Sequence, residues 1–299
     1  MTTYAPIALF VYNRPEHTAL TVQALQRNVY AQESDLFIFS DAAKSQAHVQ
    51  PVAKVRSYLR TISGFKSVTI VERENNFGLA ESIIDGVTSL VEKFGKIIVV
   101  EDDLITSVYF LQYMNEALEK YEHEDKVISI HAYSYPTRLP LPETFFLRGT
   151  DCWGWATWKR GWKLFEPDSR VLLAELKKRN LIYQFDFDGT YRYTTMLKEQ
   201  IAGIIDSWAV RWHASAFLAE KLTLFPGRSL VNNIGGDDRA THTKSLTEFQ
   251  RRVAQAPIVL DDIPIEENTF ARQQYVEFFR AYKGSLIQRA VNKIKSLVS

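Results

Sequence analysis

The sequence predicts an α/β fold: a Rossmann-like, mainly parallel sheet flanked by helices, followed by a second half of different character. Two observations predict it. Runs at 7–12, 36–40, 68–72, 97–101 and 127–131 are rich in β-branched and aromatic residues and apolar nearly throughout, as strands buried on both faces are. Between them, 16–28, 48–62, 79–94 and 107–122 carry helical spacing. Strand and helix in alternation give a parallel sheet with crossovers.

Ligands on such sheets sit beyond the carboxyl ends of the strands. The first run ends in Asn13-Arg14-Pro15 and the second in Asp41. The third leads into Arg73-Glu74-Asn75-Asn76-Phe77-Gly78, and the fourth into Glu101-Asp102-Asp103. Polar and charged groups therefore converge on one edge.

The second half holds all 6 tryptophans, from Trp153 to Trp212. Trp153, Trp155, Trp158 and Trp162 crowd together. If 156–162 is helical, Trp155, Trp158 and Trp162 share one face, the spacing of a core stripe. Strand signals thin out here, and helical patterns return near 168–180, 191–204 and 207–220.

Composition bounds the function. The chain has 299 residues, enough for one large α/β domain. With 46% apolar and 24% charged residues it reads as a soluble globular protein. A net charge of +1 argues against nucleic acid as a partner. A single cysteine, Cys152, suits a reducing cytoplasm. The first residues lack the basic n-region and cleavage site of a signal peptide. No apolar run approaches the ~20 residues that span a bilayer.

The acidic triplet is the sharpest feature. Lys96-Ile-Ile-Val-Val100 emerges into Glu101-Asp102-Asp103, which concentrates like charge at one point. Such a group needs a cation, or one carboxyl must protonate. Mg²⁺ and Mn²⁺ prefer oxygen ligands and bridge carboxylates to phosphates.

Val-Val-Glu-Asp-Asp-Leu, the aromatic helix beginning at Tyr109, and Val127-Ile-Ser-Ile-His-Ala together resemble the core of GT-A glycosyltransferases. The likeness is to the N-acetylglucosaminyltransferase I family and to bacterial relatives in polysaccharide synthesis, and it covers about residues 5–245. Gly154-Trp155 matches an aromatic-glycine-tryptophan segment of that family. The resemblance implies an inverting, metal-dependent hexosyl- or N-acetylhexosaminyltransferase. Its donor would be a nucleotide-sugar, a UDP-sugar above all, and its acceptor a glycan or lipid-linked glycan. It implies Mn²⁺ or Mg²⁺ on Asp103, with Glu101 and Asp102 toward the ribose or positioning the site, Arg14 toward the nucleotide, and Asp41 toward the uracil and ribose. Residues 1–135 would form the nucleotide-sugar-binding half. Residues 136–245 would form the acceptor half of the same domain, and 246–299 a helical extension.

An inverting transferase needs a carboxylate to deprotonate the acceptor hydroxyl. The family places an aspartate just before a tryptophan, and Asp206-Ser207-Trp208 is the matching segment. Strict alignment on Trp208 puts Ser207 at the base position; serine is a poor base, so Asp206 is the choice, with Asp151 and Asp186 as alternatives. Trp153 or Trp155 would line the acceptor cleft, since indole faces stack on sugars. The resemblance also implies a late histidine or arginine on the diphosphate or metal, and the glycine-rich loop 232–242, which suits a lid, offers Arg239 and His242 for it.

Residues 283–298 place Leu286, Ile287, Ala290, Val291, Ile294, Leu297 and Val298 on one helical face, with Arg289, Lys293 and Lys295 mostly off it. This basic amphipathic end suits the inner face of the cell membrane, or docking on the core or a second subunit. A nucleotidyltransferase and a non-catalytic sugar-binding scaffold are the competing readings. A glycine-rich segment directly after the first strand, expected of the former and of dinucleotide oxidoreductases, is absent.

Overall fold

The structure is a computed structural model that describes residues 4–236 and 247–298, with the backbone alone from residue 285. The first half runs β1 (Ile7–Val11), α1 (Pro15–Gln26), β2 (Asp35–Ser40), α2 (Gln46–Leu59), β3 (Ser67–Glu72), α3 (Gly78–Phe94) and β4 (Lys96–Glu101). It continues through β5 (Leu104–Thr106), α4 (Phe110–Lys120) and β6 (Val127–His131). The second half adds β7 (Thr144–Arg148), β8 (Trp155–Trp158), α5 (Lys159–Trp162), α6 (Ser169–Lys178), α7 (Ile182–Phe185), α8 (Tyr193–Ile201) and α9 (Trp208–Leu218). β9 (Leu222–Pro226), β10 (Val231–Asn233) and α10 (Thr269–Val298) complete it.

Eight strands form one sheet in the order β3-β2-β1-β4-β8-β6-β9-β7. The pairs β1–β2, β1–β4 and β2–β3 are parallel, as the alternation of strand and helix predicts, and β6 is parallel to β9, a strand the sequence did not announce. β8 enters antiparallel between β4 and β6, so residues from both halves of the chain share one sheet.

Alternation along the strands builds two core layers. From β1, Ile7, Leu9 and Val11 meet Val22 and Leu25 of α1 and Val55 and Leu59 of α2. Ala8 and Phe10 point the other way, to Ile83, Val87 and Leu90 of α3. Each buried side chain of this size contributes about 1.5–3 kcal/mol, which fixes the helices to their faces. Gly95, just past α3, adopts φ 78°, the left-handed cap that glycine takes without strain. It turns the chain directly into β4.

The helical stripe expected at 156–162 is corrected. Trp155 and Trp158 lie in a strand, where residues three apart face opposite sides. Trp155 joins Trp162, Trp208 and Trp212 in one core layer, and Trp158 joins the other. The predicted thinning of strands in the second half is likewise replaced by β7 to β10.

α10 lays Tyr275 and Phe279, both buried, against Tyr135 and Phe187. Among the described residues, no helix is long and apolar enough to cross a membrane.

Candidate active site

The site forms where β1, β2 and β4 end. β4 is apolar and buried from Ile97 to Val100, then emerges into three half-buried acids. β1 ends beside it: the Tyr12 amide donates to Asp102 Oδ2 at 3.3 Å. Pro15, preset for a first helical turn, starts α1 directly after Arg14. Arg14 is buried, and its Nη1 donates to Asp103 Oδ2 at 3.3 Å. The Thr21 hydroxyl of α1 donates to the Asp102 carbonyl at 2.9 Å, which ties the helix to the triplet.

A second segment reaches the same place from far along the chain. β5 and β10 pair antiparallel, with Leu104 opposite Asn233. Asn233 Nδ2 donates to Asp103 Oδ1 at 3.4 Å, and the Ile234 amide donates to the Asp103 carbonyl at 2.8 Å. A Cβ on Gly235 would lie 2.0 Å from Asp103 Oδ2, so only glycine lets this loop cover the carboxylate. His17 Nε2 lies 3.3 Å from the Ile234 carbonyl.

The electrostatics follow from this crowding. Burial, then the charges of Asp103 and Asp102, hold Glu101 well above the usual carboxylate range. Asp102 is pushed up to about 7 by burial and by Asp103, against the pull of Arg14 and the Tyr12 amide. Burial also raises Asp103, while Arg14 and His17 oppose it. Among the described residues three acids face the one guanidinium of Arg14 and the His17 ring, and the donors are oxygen, which suits Mg²⁺ or Mn²⁺. Among the described residues, no group of three or more His, Cys, Asp or Glu side chains forms a cage for a metal ion. Such ions, bound through one or two carboxylates, take their remaining ligands from phosphate and water, so Asp103 and its neighbours fit the demand.

Asp41 stands at the end of β2, buried, and its carboxylate is filled from the protein. Oδ1 accepts from the Ala42 and Phe77 amides, and Oδ2 from Asn76 Nδ2 and the Gly78 amide, at 2.8–2.9 Å. These four donors occupy its acceptor positions. What it does in this structure is pin the start of α3 against β2. Arg56 reinforces that edge by donating to the Arg73 carbonyl at 2.8 Å.

The other expected residues fall in different places. Asp206 precedes α9, with its side chain 63% exposed, and pairs with Arg211 Nη2 at 3.1 Å. Ser207 is the N-cap of that helix. Asp186 accepts from the Thr194 amide at 2.7 Å at the start of α8. Trp153 is half-buried, with its ring 4.7 Å from that of Tyr133. Trp155 is fully buried between Trp162, Trp208 and Trp212, so no face of its indole is left for a sugar, and its role is packing. Arg239 and His242 lie outside the described residues. Asn233, Gly235 and His17 are the neighbours of Asp103 that sequence reasoning did not single out. The paired glycines at 235 and 236 were the visible signal for two of them.

No family model matches the chain, and no curated protein matches it. Among solved structures it is similar to TarS of S. aureus, with a TM-score of 0.33 and 12% identity over 50% of this chain and 25% of that one. It is similar to the mannosyltransferase PcManGT from Pyrobaculum calidifontis in complex with GDP-Man and Mn²⁺, at TM-score 0.34 and 15% identity over 45% of this chain and 37% of that one. A third is a protein from Desulfovibrio desulfuricans G20 described as a nucleotide-diphospho-sugar transferase, at TM-score 0.34 and 12% identity over 56% and 68% of the two chains. The chain thus spans 25% of the length of TarS. Chemistry here rests on the site itself.

Proposed function

We propose that the chain is a GT-A type, metal-dependent glycosyltransferase. It would move a sugar, with inversion, from a UDP-sugar to a glycan or lipid-linked glycan acceptor. The observation that carries the reading is the charge-crowded triplet at the end of β4, gripped by Arg14 at the start of α1 and Asn233 from β10. Asp103 would hold Mn²⁺ or Mg²⁺, which supplies countercharge for the departing diphosphate. Glu101 and Asp102 would meet the ribose, and Arg14 the nucleotide. Asp41 would act through the turn at 76–78 that it fixes. Arg239 and His242 are proposed on the diphosphate side and Trp153 on the acceptor side. The acceptor proton needs a carboxylate: Asp206 is the candidate from sequence, with Asp151 and Asp186 as alternatives.

The test is UDP release from a panel of UDP-sugars with Mn²⁺. Turnover with at least one sugar is expected. A nucleotidyltransferase would instead consume a nucleoside triphosphate and a sugar phosphate, and a scaffold would bind without turnover.

The amphipathic segment 283–298 is proposed to meet anionic lipid at the inner membrane face. Cosedimentation with anionic vesicles at low salt, lost at high salt, is the expected result. Full-length protein that ignores those vesicles sinks the idea.

A further inference from the structure

We propose that Asp151, rather than Asp206, takes the proton of the acceptor hydroxyl. The inference rests on the glycosyltransferase reading above. Its ground is the place and surroundings of this carboxylate. His131, the last residue of β6, lies level with Trp155 of β8, and Trp155 is level with Val99 of β4. Asp151 Oδ2 lies 3.8 Å from His131 Nε2, so it stands at the strand ends that carry the triplet. The adjacent Cys152 thiol is raised first by burial, then by the charges of Asp151, Glu101 and Asp103, which places both acidic groups within electrostatic reach of one side chain.

The carboxylate is held but not neutralised. The Tyr135 hydroxyl donates to Oδ2 and the Cys152 amide to Oδ1, each at 2.8 Å. That leaves lone pairs on both oxygens. Among the described residues, no lysine or arginine lies within ion-pair distance of it. The side chain keeps 15% exposure, so a hydroxyl can reach it. It also lines a cavity of about 10 Å³ with Thr150, Tyr193 and His213, room for about one water oxygen. Thr150 Oγ1 and His213 Nε2 are buried there without hydrogen-bond partners. Asp206, in contrast, is an exposed carboxylate whose Oδ1 already accepts from Arg211 Nη2 at 3.1 Å and Gln200 Nε2 at 3.3 Å.

In the reaction, the acceptor oxygen forms a bond to the anomeric carbon as the bond from that carbon to the diphosphate breaks. The electron pair leaves with the nucleoside diphosphate, and the acceptor proton passes to Asp151. Water can replace the acceptor, so donor hydrolysis reads the same proton transfer.

The experiment compares full-length wild type, Asp151→Asn, Asp151→Glu and Asp206→Asn. It measures UDP release from UDP-sugar with Mn²⁺ and no acceptor, and thermal stabilisation by UDP plus Mn²⁺. Asp151→Asn should lose about 10²–10⁴ in turnover, the worth of a general base, and at least ten times more than Asp206→Asn loses. Its stabilisation by UDP plus Mn²⁺ should stay. Asp151→Glu, which keeps a carboxylate, should recover part of the turnover. An equal or larger loss at Asp206 overturns the assignment, as does loss of UDP plus Mn²⁺ stabilisation in Asp151→Asn. A wild type with neither turnover nor stabilisation fells the glycosyltransferase reading itself, and this assignment with it.

Discussion

At the scale of single residues, the site depends on one close approach. Gly235 sits where any side chain would strike Asp103, with a built Cβ 2.0 Å from Oδ2. Gly235→Ala must therefore move either the loop or the carboxylate. Stabilisation by UDP plus Mn²⁺ should fall sharply while the ligand-free Tm changes by only a few degrees, because strain of about 1–3 kcal/mol stays local. Unaltered ligand stabilisation would show that the loop does not position Asp103. Two buried histidines weaken the folded chain in acid. Burial holds His131 and His213 down at about 4, so both stay neutral in the folded chain. The unfolded chain, with histidine near 6.5, binds those protons first. Their contribution is thus fully present above pH 6.5 and is lost as pH falls from 6.5 toward 4, up to about 3 kcal/mol for each. Asp102 and Glu101, raised by burial, take up protons in the folded chain and add stability as pH falls through the same window, so the histidine part is read by difference. The urea midpoint of His213→Gln should gain on that of the wild type between pH 7 and pH 4.5. A gap between the two that does not move with pH would contradict this.

At the scale of elements, α10 ties the C-terminal segment to the wall behind Asp151. Phe279 is buried, with its ring 4.9 Å from Tyr135 and 4.6 Å from Tyr191. Arg272 of the same helix donates to Asp188 at 2.8 and 3.0 Å. Asp188 lies in a turn where Phe187, Asp188 and Gly189 all have positive φ, at 46°, 55° and 70°. Non-glycine residues hold that conformation only when their surroundings enforce it. Phe279→Ala should cost about 3–5 kcal/mol in chemical denaturation, the usual toll of emptying a buried aromatic site. A cost below 1 kcal/mol would mean that α10 is only loosely attached. The strands show what a sequence reveals and conceals. β1 to β4 and β6 were legible because they are apolar on both faces and alternate with helices. β5 and β10 are 3 residues each, too short to carry a period. β8 carries two tryptophans three apart, a spacing that a helix and a strand explain equally well until pairing with β4 decides.

At the scale of the whole molecule, the convergence of Arg14 and Asp103 was readable, since both follow strands of a parallel sheet. Asn233 was not, because only the β5–β10 pairing brings residue 233 beside residue 103. Asp41 was legible as a strand-end acid, but three of its four protein donors appear only when the turn at 76–78 folds onto it. Asp206 was matched through its neighbour Trp208; Asp151, with no such pattern, needed three dimensions to be seen beside His131 and Tyr135. All of these meet at one claim, that the triplet anchors a nucleotide diphosphate through a divalent cation. The most direct measurement is thermal or chemical stability of wild type and Asp103→Ala with UDP and Mn²⁺ together, against each alone. At a hundredfold excess over Kd, the wild type should gain about 2.7 kcal/mol only with both present, and Asp103→Ala should gain almost nothing. A wild type indifferent to UDP plus Mn²⁺, or an Asp103→Ala variant stabilised as much as the wild type, would contradict it.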